Sequence, residues 1–123
     1  MTTKVLVIDD SMMVRQQVKR ALGPDFSVTE ASDGLDGLEK LSAAPDTALV
    51  ILDVNMPKMS GIEFLESRVE KAHVAHVPVV MLTTEGQAQL IARAKSLGAK
   101  AWLVKPFKPD NLLAVARKAT TPA

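Results

Sequence analysis

Five short apolar runs, each closing on polar or charged residues, constrain this chain more than any other feature. They are Lys4 to Ile8, Phe26 to Glu30, Ala48 to Leu52, Val77 to Leu82 and Ala101 to Val104. Each is too short for a stable helix and most are rich in β-branched residues, so they read as strands. The third is apolar at every position, as in a strand buried on both faces. Pro78 fits only at the start of the fourth, where no ladder donor is needed. Between the runs the apolar period changes to that of a helix. Ser11 is a good N-cap, and Val14, Val18, Ala21 and Leu22 then share one face until Gly23-Pro24. After the turn Ser32-Asp33-Gly34, Leu35, Leu38 and Leu41 mark a second helix. Ser60 can cap a third with Ile62, Leu65 and Val69 on its apolar side. Leu90, Ala94 and Leu97 predict a fourth closed by Gly98, and Pro109 suits the first turn of a fifth bearing Leu112, Leu113 and Ala116. Strand and helix alternate five times. That predicts an α/β fold with a doubly wound, five-stranded parallel sheet, helices on both faces and right-handed crossovers.

The bulk properties narrow the function. A chain of 123 residues suits one domain spanning 1–123, with no separate output domain expected. The net charge of +1 gives no reason to expect nucleic acid or a membrane surface as a partner, and neither is expected. There is no cysteine, which excludes disulfides, thiol catalysis and zinc-thiolate sites. No apolar run approaches the roughly 18 residues of a membrane span. The first strand begins too early for a signal peptide, and a cytoplasmic location is expected. After residue 86 the bases Arg93, Lys95, Lys100, Lys105, Lys108, Arg117 and Lys118 face only Asp110. A solvated helix face and a docking face both fit that bias.

In open parallel sheets, ligand chemistry sits at the carboxyl ends of the strands. Those ends here carry Asp9 and Asp10 (first strand), Asp53 (third), Thr83 (fourth) and Lys105 (fifth). Singly, each has a bland role. Asp10 could cap the first helix beside Ser11, Thr83 could be a strand former, and Lys105 could be a surface lysine. Together they gather three carboxylates, a hydroxyl and an ammonium on one rim. Carboxylates about 5 Å apart repel by roughly 3 kcal/mol per pair at an effective dielectric near 20, so the set demands countercharge. Mg2+, which prefers oxygen ligands, and Lys105 would supply it. Metal, ammonium and hydroxyl around one carboxylate suit a transferring phosphoryl group, whose charge is spread over three oxygens. Asp53 is the expected acceptor.

These residues carry a resemblance. Asp9-Asp10 after VLVI, Asp53 in DVNMPKMSG, Thr83 after PVVML, and Lys105-Pro106-Phe107 resemble the receiver domain of two-component response regulators, especially single-domain chemotaxis regulators. The match covers essentially the whole chain. The resemblance implies a flavodoxin-like strand order 2-1-3-4-5. It implies transfer to Asp53 from a phosphohistidine of a sensor histidine kinase. Asp10, Asp53 and the main-chain carbonyl of Asn55 would ligate Mg2+, with Asp9 acting through a metal-bound water. Lys105 would pair with phosphoryl oxygens, Thr83 would move inward to bond one, and Trp102 would be the aromatic that switches on the fifth strand. Asn55 and Glu85 would line access to the phosphoryl group and favour its fast loss. The Lys105-Pro106 peptide is expected to be cis. The output face is expected on the fourth helix, fifth strand and fifth helix, acting on a protein target such as the flagellar motor switch, with a possible phosphatase partner.

Other functions fit less well. A relay or kinase-docked receiver that passes phosphate on shares every site residue. A haloacid-dehalogenase-like phosphatase needs a second Asp two residues beyond the nucleophile, where this chain has Asn55. A flavin carrier needs a hydroxyl-rich loop after the first strand, where Asp9-Asp10 would repel its phosphate. No G-x-G-x-x-G dinucleotide loop is present. His73 and His76 lack a third ligand nearby and read as surface histidines.

Overall fold

The computed structural model describes residues 2–54, 56, 58–84 and 88–121. Among these residues five strands, β1 (Thr3–Ile8), β2 (Phe26–Ala31), β3 (Leu49–Asp53), β4 (Val79–Thr83) and β5 (Ala99–Val104), alternate with five α-helices. These are α1 (Met12–Leu22), α2 (Gly34–Ala43), α3 (Gly61–Val69), α4 (Ala88–Ser96) and α5 (Pro109–Thr120). The sheet order is β2-β1-β3-β4-β5 and every pairing is parallel. This is the doubly wound, flavodoxin-like order that the resemblance implies.

The period of two in the central strand splits the core into two layers. Val50 and Leu52 of β3 join Leu41 of α2, Phe64 and Leu65 of α3 and Ala94 of α4 on one face. Leu49 and Ile51 join Val18 and Leu22 of α1 with Leu112 and Ala116 of α5 on the other. All of β3 is buried, as a strand roofed on both sides must be.

The strand limits shift for identifiable reasons. Pro78 lies outside β4, although its carbonyl accepts from Val50 N at 2.9 Å. β5 begins at Ala99, two residues ahead of the expected start, through an irregularity opposite Val79 and Val80. Two helix faces also differ from expectation. Leu35 is 49% exposed and Val69 is 48% exposed. On α2 the inward positions are Gly34, Gly37 and Leu41. A Cβ at Gly37 would collide with the Ile8 side chain, so the glycine brings α2 down onto β1. On α3 the buried face is Gly61, Phe64, Leu65 and Arg68. Its first turn carries a full capping box between Ser60 and Glu63. Among the described residues, no helix is long and apolar enough to cross a membrane.

Candidate functional site

The carboxyl ends of β1, β3, β4 and β5 meet on one rim. Asp9, just past β1, is fully buried. Its N–H donates to Ala31 O at 3.1 Å, so the end of β2 holds its backbone. Its Oδ1 accepts from Ser11 N at 2.9 Å, and Ser11 in turn caps α1 through Val14 N. Asp10, the next residue, is exposed. Asp53 is the last residue of β3 and is buried. One carboxylate oxygen from each of Asp9, Asp10 and Asp53 lies within 4.8 Å of the others.

Lys105 reaches this cluster from the end of β5. Its Nζ lies 2.8 Å from Asp9 Oδ2 and 3.2 Å from Asp53 Oδ1. The main chain brings it there: Lys105 N donates to Thr83 O at 2.6 Å, and Thr83 pairs with Val104 across β4 and β5. Thr83 is buried at the same rim. The Lys105-Pro106 peptide is cis, as expected. Lys105 therefore belongs to the site rather than to the basic surface that the charge bias outlined. Arg93, Lys95, Lys100, Lys108, Arg117 and Lys118 are exposed.

The electrostatics follow from that geometry. Burial, and then the charge of Asp9, push the Asp53 carboxyl above the ordinary carboxylate range, while Lys105 pulls the other way. Burial alone would lower the Lys105 ammonium. The hydrogen bond to Asp9 and the charges of Asp9 and Asp53 outweigh it, and the lysine is held above its usual value. A buried acid next to like charges, held short of neutrality by one ammonium, is a site poised to accept another cation.

The donor set fits Mg2+. Two oxygens bound at about 2.1 Å to one octahedral ion lie at most about 4.2 Å apart, so a cluster within 4.8 Å needs only a small closure or a bridging water. The donors are all carboxylate oxygens, the type such an ion selects.

A response regulator receiver domain model matches residues 5–117. The chain belongs to the response regulator receiver family. The chemotaxis protein CheY of Treponema pallidum is 40% identical over 113 residues, covering 89% of this chain and 77% of that protein. The chemotaxis response regulator CheY4 of Vibrio cholerae is 38% identical, with a TM-score of 0.89 over 97% of this receiver and 99% of that structure. The CheY of Borrelia burgdorferi, solved as a CheX-CheY-BeF3-Mg+2 complex, is 28% identical, with a TM-score of 0.89 over 98% of this chain and 90% of that one.

Of the sequence-predicted residues, the receiver fold brings Asp9, Asp10, Asp53, Thr83 and Lys105 to one rim. Trp102 lies on β5, two residues before the strand's end, and packs against the core layer of α2, α3 and α4. Its indole Nε1 is buried with no hydrogen-bond partner among the described residues. Asn55 and Glu85, expected as a metal ligand and as the residues lining access, lie outside the described residues.

Two contributors were not foreseen. Gly61 reads in the sequence as a pattern breaker. In the fold a Cβ there would collide with the Asp53 carbonyl, while Gly61 N donates to Val54 O at 2.9 Å. Only glycine lets α3 start against the acceptor strand. Arg15 sits in the first turn of α1 and donates from Nη1 to Asp9 O at 2.8 Å. Helix side chains lean toward the N-terminus, so an arginine one turn into a helix that follows two acids is a signal that can be read.

Proposed function

We propose that this receiver carries a transient phosphoryl group on Asp53 and uses it to switch a protein-binding face in chemotaxis. The observation that carries the reading is the Lys105 ammonium set between Asp9 and Asp53 at 2.8 and 3.2 Å, on a rim with three clustered carboxylates. The donor is a phosphohistidine of a sensor histidine kinase. An Asp53 oxygen forms the new P–O bond as the P–N bond breaks, and the electron pair of that bond leaves with the imidazole. Asp10, Asp53 and the Asn55 carbonyl would hold Mg2+ directly, with Asp9 behind a water. Bound there, the ion supplies positive charge to the phosphoryl oxygens. Lys105 can leave Asp53 for a phosphoryl oxygen without losing Asp9, because it already contacts both acids. Thr83 donates a hydroxyl to another oxygen. The protein thereby assists its own phosphorylation and hydrolysis.

The group adds close to two negative charges. These favour the conformer in which Thr83 and Lys105 contact the phosphoryl oxygens. The changed surface is that of α4, β5 and α5, where Trp102 switches and the exposed bases lie. Acting as a single receiver unit in the cytoplasm, the protein then signals by binding a target such as the flagellar motor switch, and a phosphatase resets it. The likeness to the chemotaxis proteins of Treponema and Vibrio supports this output, and the Borrelia complex with BeF3 and magnesium supports the metal-assisted chemistry.

The test is intact-mass spectrometry after treatment with acetyl phosphate and Mg2+. A labile phosphoryl adduct is expected on the parent and not on Asp53→Asn. Lys105→Ala is expected to keep Mg2+ binding and lose the Trp102 fluorescence response to the donor. An equal adduct on Asp53→Asn refutes the acceptor assignment. Capture of the phosphorylated form by a histidine phosphotransfer protein, and not by a motor-switch peptide, refutes the chemotactic output.

A further inference from the structure

Arg15 belongs to the site although, among the described residues, it makes no hydrogen bond or ion pair to a side chain of the acidic cluster. Its side chain is only 14% exposed and reaches two groups. Nε donates to Glu30 Oε1 at 2.9 Å, and Nη1 donates to the Asp9 carbonyl at 2.8 Å. Glu30 is the penultimate residue of β2 and is also within 3.4 Å of Lys19 Nζ. The next residue, Ala31, accepts the Asp9 N–H at 3.1 Å. The end of β2 thus grips Asp9 twice, once directly through its N–H and once through Arg15 at its carbonyl.

That carbonyl lies in the peptide plane joining Asp9 to Asp10. Asp9 is further held through its side chain by Ser11 N and Lys105. Asp10 has no such ties among the hydrogen bonds of the described residues, and its carboxylate is exposed. The orientation of the Asp9–Asp10 plane therefore sets the direction in which the main chain enters Asp10, and with it the arc its carboxylate can sweep. We infer that Arg15, held by Glu30, is a positioning residue that aims Asp10 at the divalent cation. This rests on the reading that the three acids hold Mg2+.

The sign of the effect separates positioning from simple charge. Arg15→Ala removes a positive charge near the site, which by Coulomb attraction alone would tighten Mg2+. Glu30→Gln removes a negative charge and by the same argument would weaken it. Positioning requires both variants to bind Mg2+ more weakly, Arg15→Ala by about tenfold, the low end for residues that orient metal ligands.

The experiment is isothermal titration of Mg2+ into the full chain, with folding checked by circular dichroism. Both variants are expected to weaken binding, Arg15→Lys to restore part of it, and Arg15→Ala to have no further effect in an Asp10→Asn background. At saturating Mg2+ the phosphorylation rate of Arg15→Ala is expected to return to the parental value. Parental or tighter binding by Arg15→Ala, or an undiminished loss in the Asp10→Asn background, overturns the inference and leaves the metal reading intact. A parent chain that takes no Mg2+ overturns both.

Discussion

Asp53→Asn is expected to make this protein more stable, provided no divalent cation is present. The pair between Asp53 and Lys105 at 3.2 Å is worth about 5 kcal/mol at an effective dielectric near 20. Asp9 and Asp10, each with an oxygen within 4.8 Å, oppose it by at least about 3.5 kcal/mol apiece on the same scale. Water screens the exposed Asp10, which trims its share, and the burial of Asp53 adds a desolvation cost that restores the balance against the charge. The net is a carboxylate that destabilises the fold by about 2 kcal/mol. Asparagine has the same shape, its carbonyl can still accept from Lys105, and Lys105 keeps its 2.8 Å contact with Asp9. No buried charge is orphaned by the change. With an unfolding entropy of about 2.1 cal/mol/K per residue, 2 kcal/mol corresponds to a rise of about 8 °C in Tm.

The measurement is urea and thermal unfolding at neutral pH in EDTA, followed by Trp102 fluorescence and circular dichroism. Asp53 has a folded-state pKa above its unfolded value, so its penalty is fully present above the folded pKa. The penalty shrinks as pH falls through that value toward the unfolded one. The advantage of the variant is therefore greatest near neutrality and narrows in acid. Mg2+ should reverse the order, since a ligand at a hundred times its Kd stabilises the parent by about 2.7 kcal/mol. An Asn variant no more stable than the parent in EDTA at neutral pH would refute the claim that Asp53 is held as a strained charge.

Two further substitutions test the supports of the site. Gly61→Ala forces a methyl group onto the Asp53 carbonyl, a backbone atom that cannot yield, and should cost about 2 kcal/mol by the scale of overpacking; urea unfolding measures the loss, and slower phosphorylation by acetyl phosphate should accompany it. Arg68→Met should cost about 3 kcal/mol in chemical denaturation, because three carbonyls lose their donor. The buried Arg68 guanidinium donates to Ala75 O, Val77 O and Leu97 O at 2.6, 2.7 and 2.8 Å, and a methionine variant of parental stability would show those carbonyls to be satisfied otherwise.

The parts of this receiver that could be read from its sequence are those in which residue type and position carry the same message. Asp53 closes an unbroken apolar run, so its burial at a strand end follows from chain direction alone. Asp9, Thr83 and Lys105 close other runs, and parallel topology places all of them on one rim. What escaped reading worked through the backbone or through missing atoms. Leu35 and Val69 fit the apolar period of their helices, yet α2 and α3 turn instead on Gly34, Gly37 and Gly61, whose value is the absence of a side chain. Hydrophobic periodicity scores glycine as nothing and so rotates the helix toward the nearest leucine or valine. Arg68 defeats the same rule from the opposite side. Its charge marks it for solvent, but the carbonyls that bury it come from the segment before β4 and the end of α4, invisible until the chain is folded. Arg15 is the intermediate case: its place one turn into α1 behind two acids points it back toward the rim, but its partner there is the carbonyl of Asp9, and a main-chain acceptor leaves no trace in residue type. The chemistry of the rim is therefore written in side chains, while the precision with which the rim is held resides in glycine contacts and arginine-to-carbonyl bonds. Sequence patterns alone will miss substitutions that preserve the five acid, hydroxyl and ammonium positions yet loosen the site.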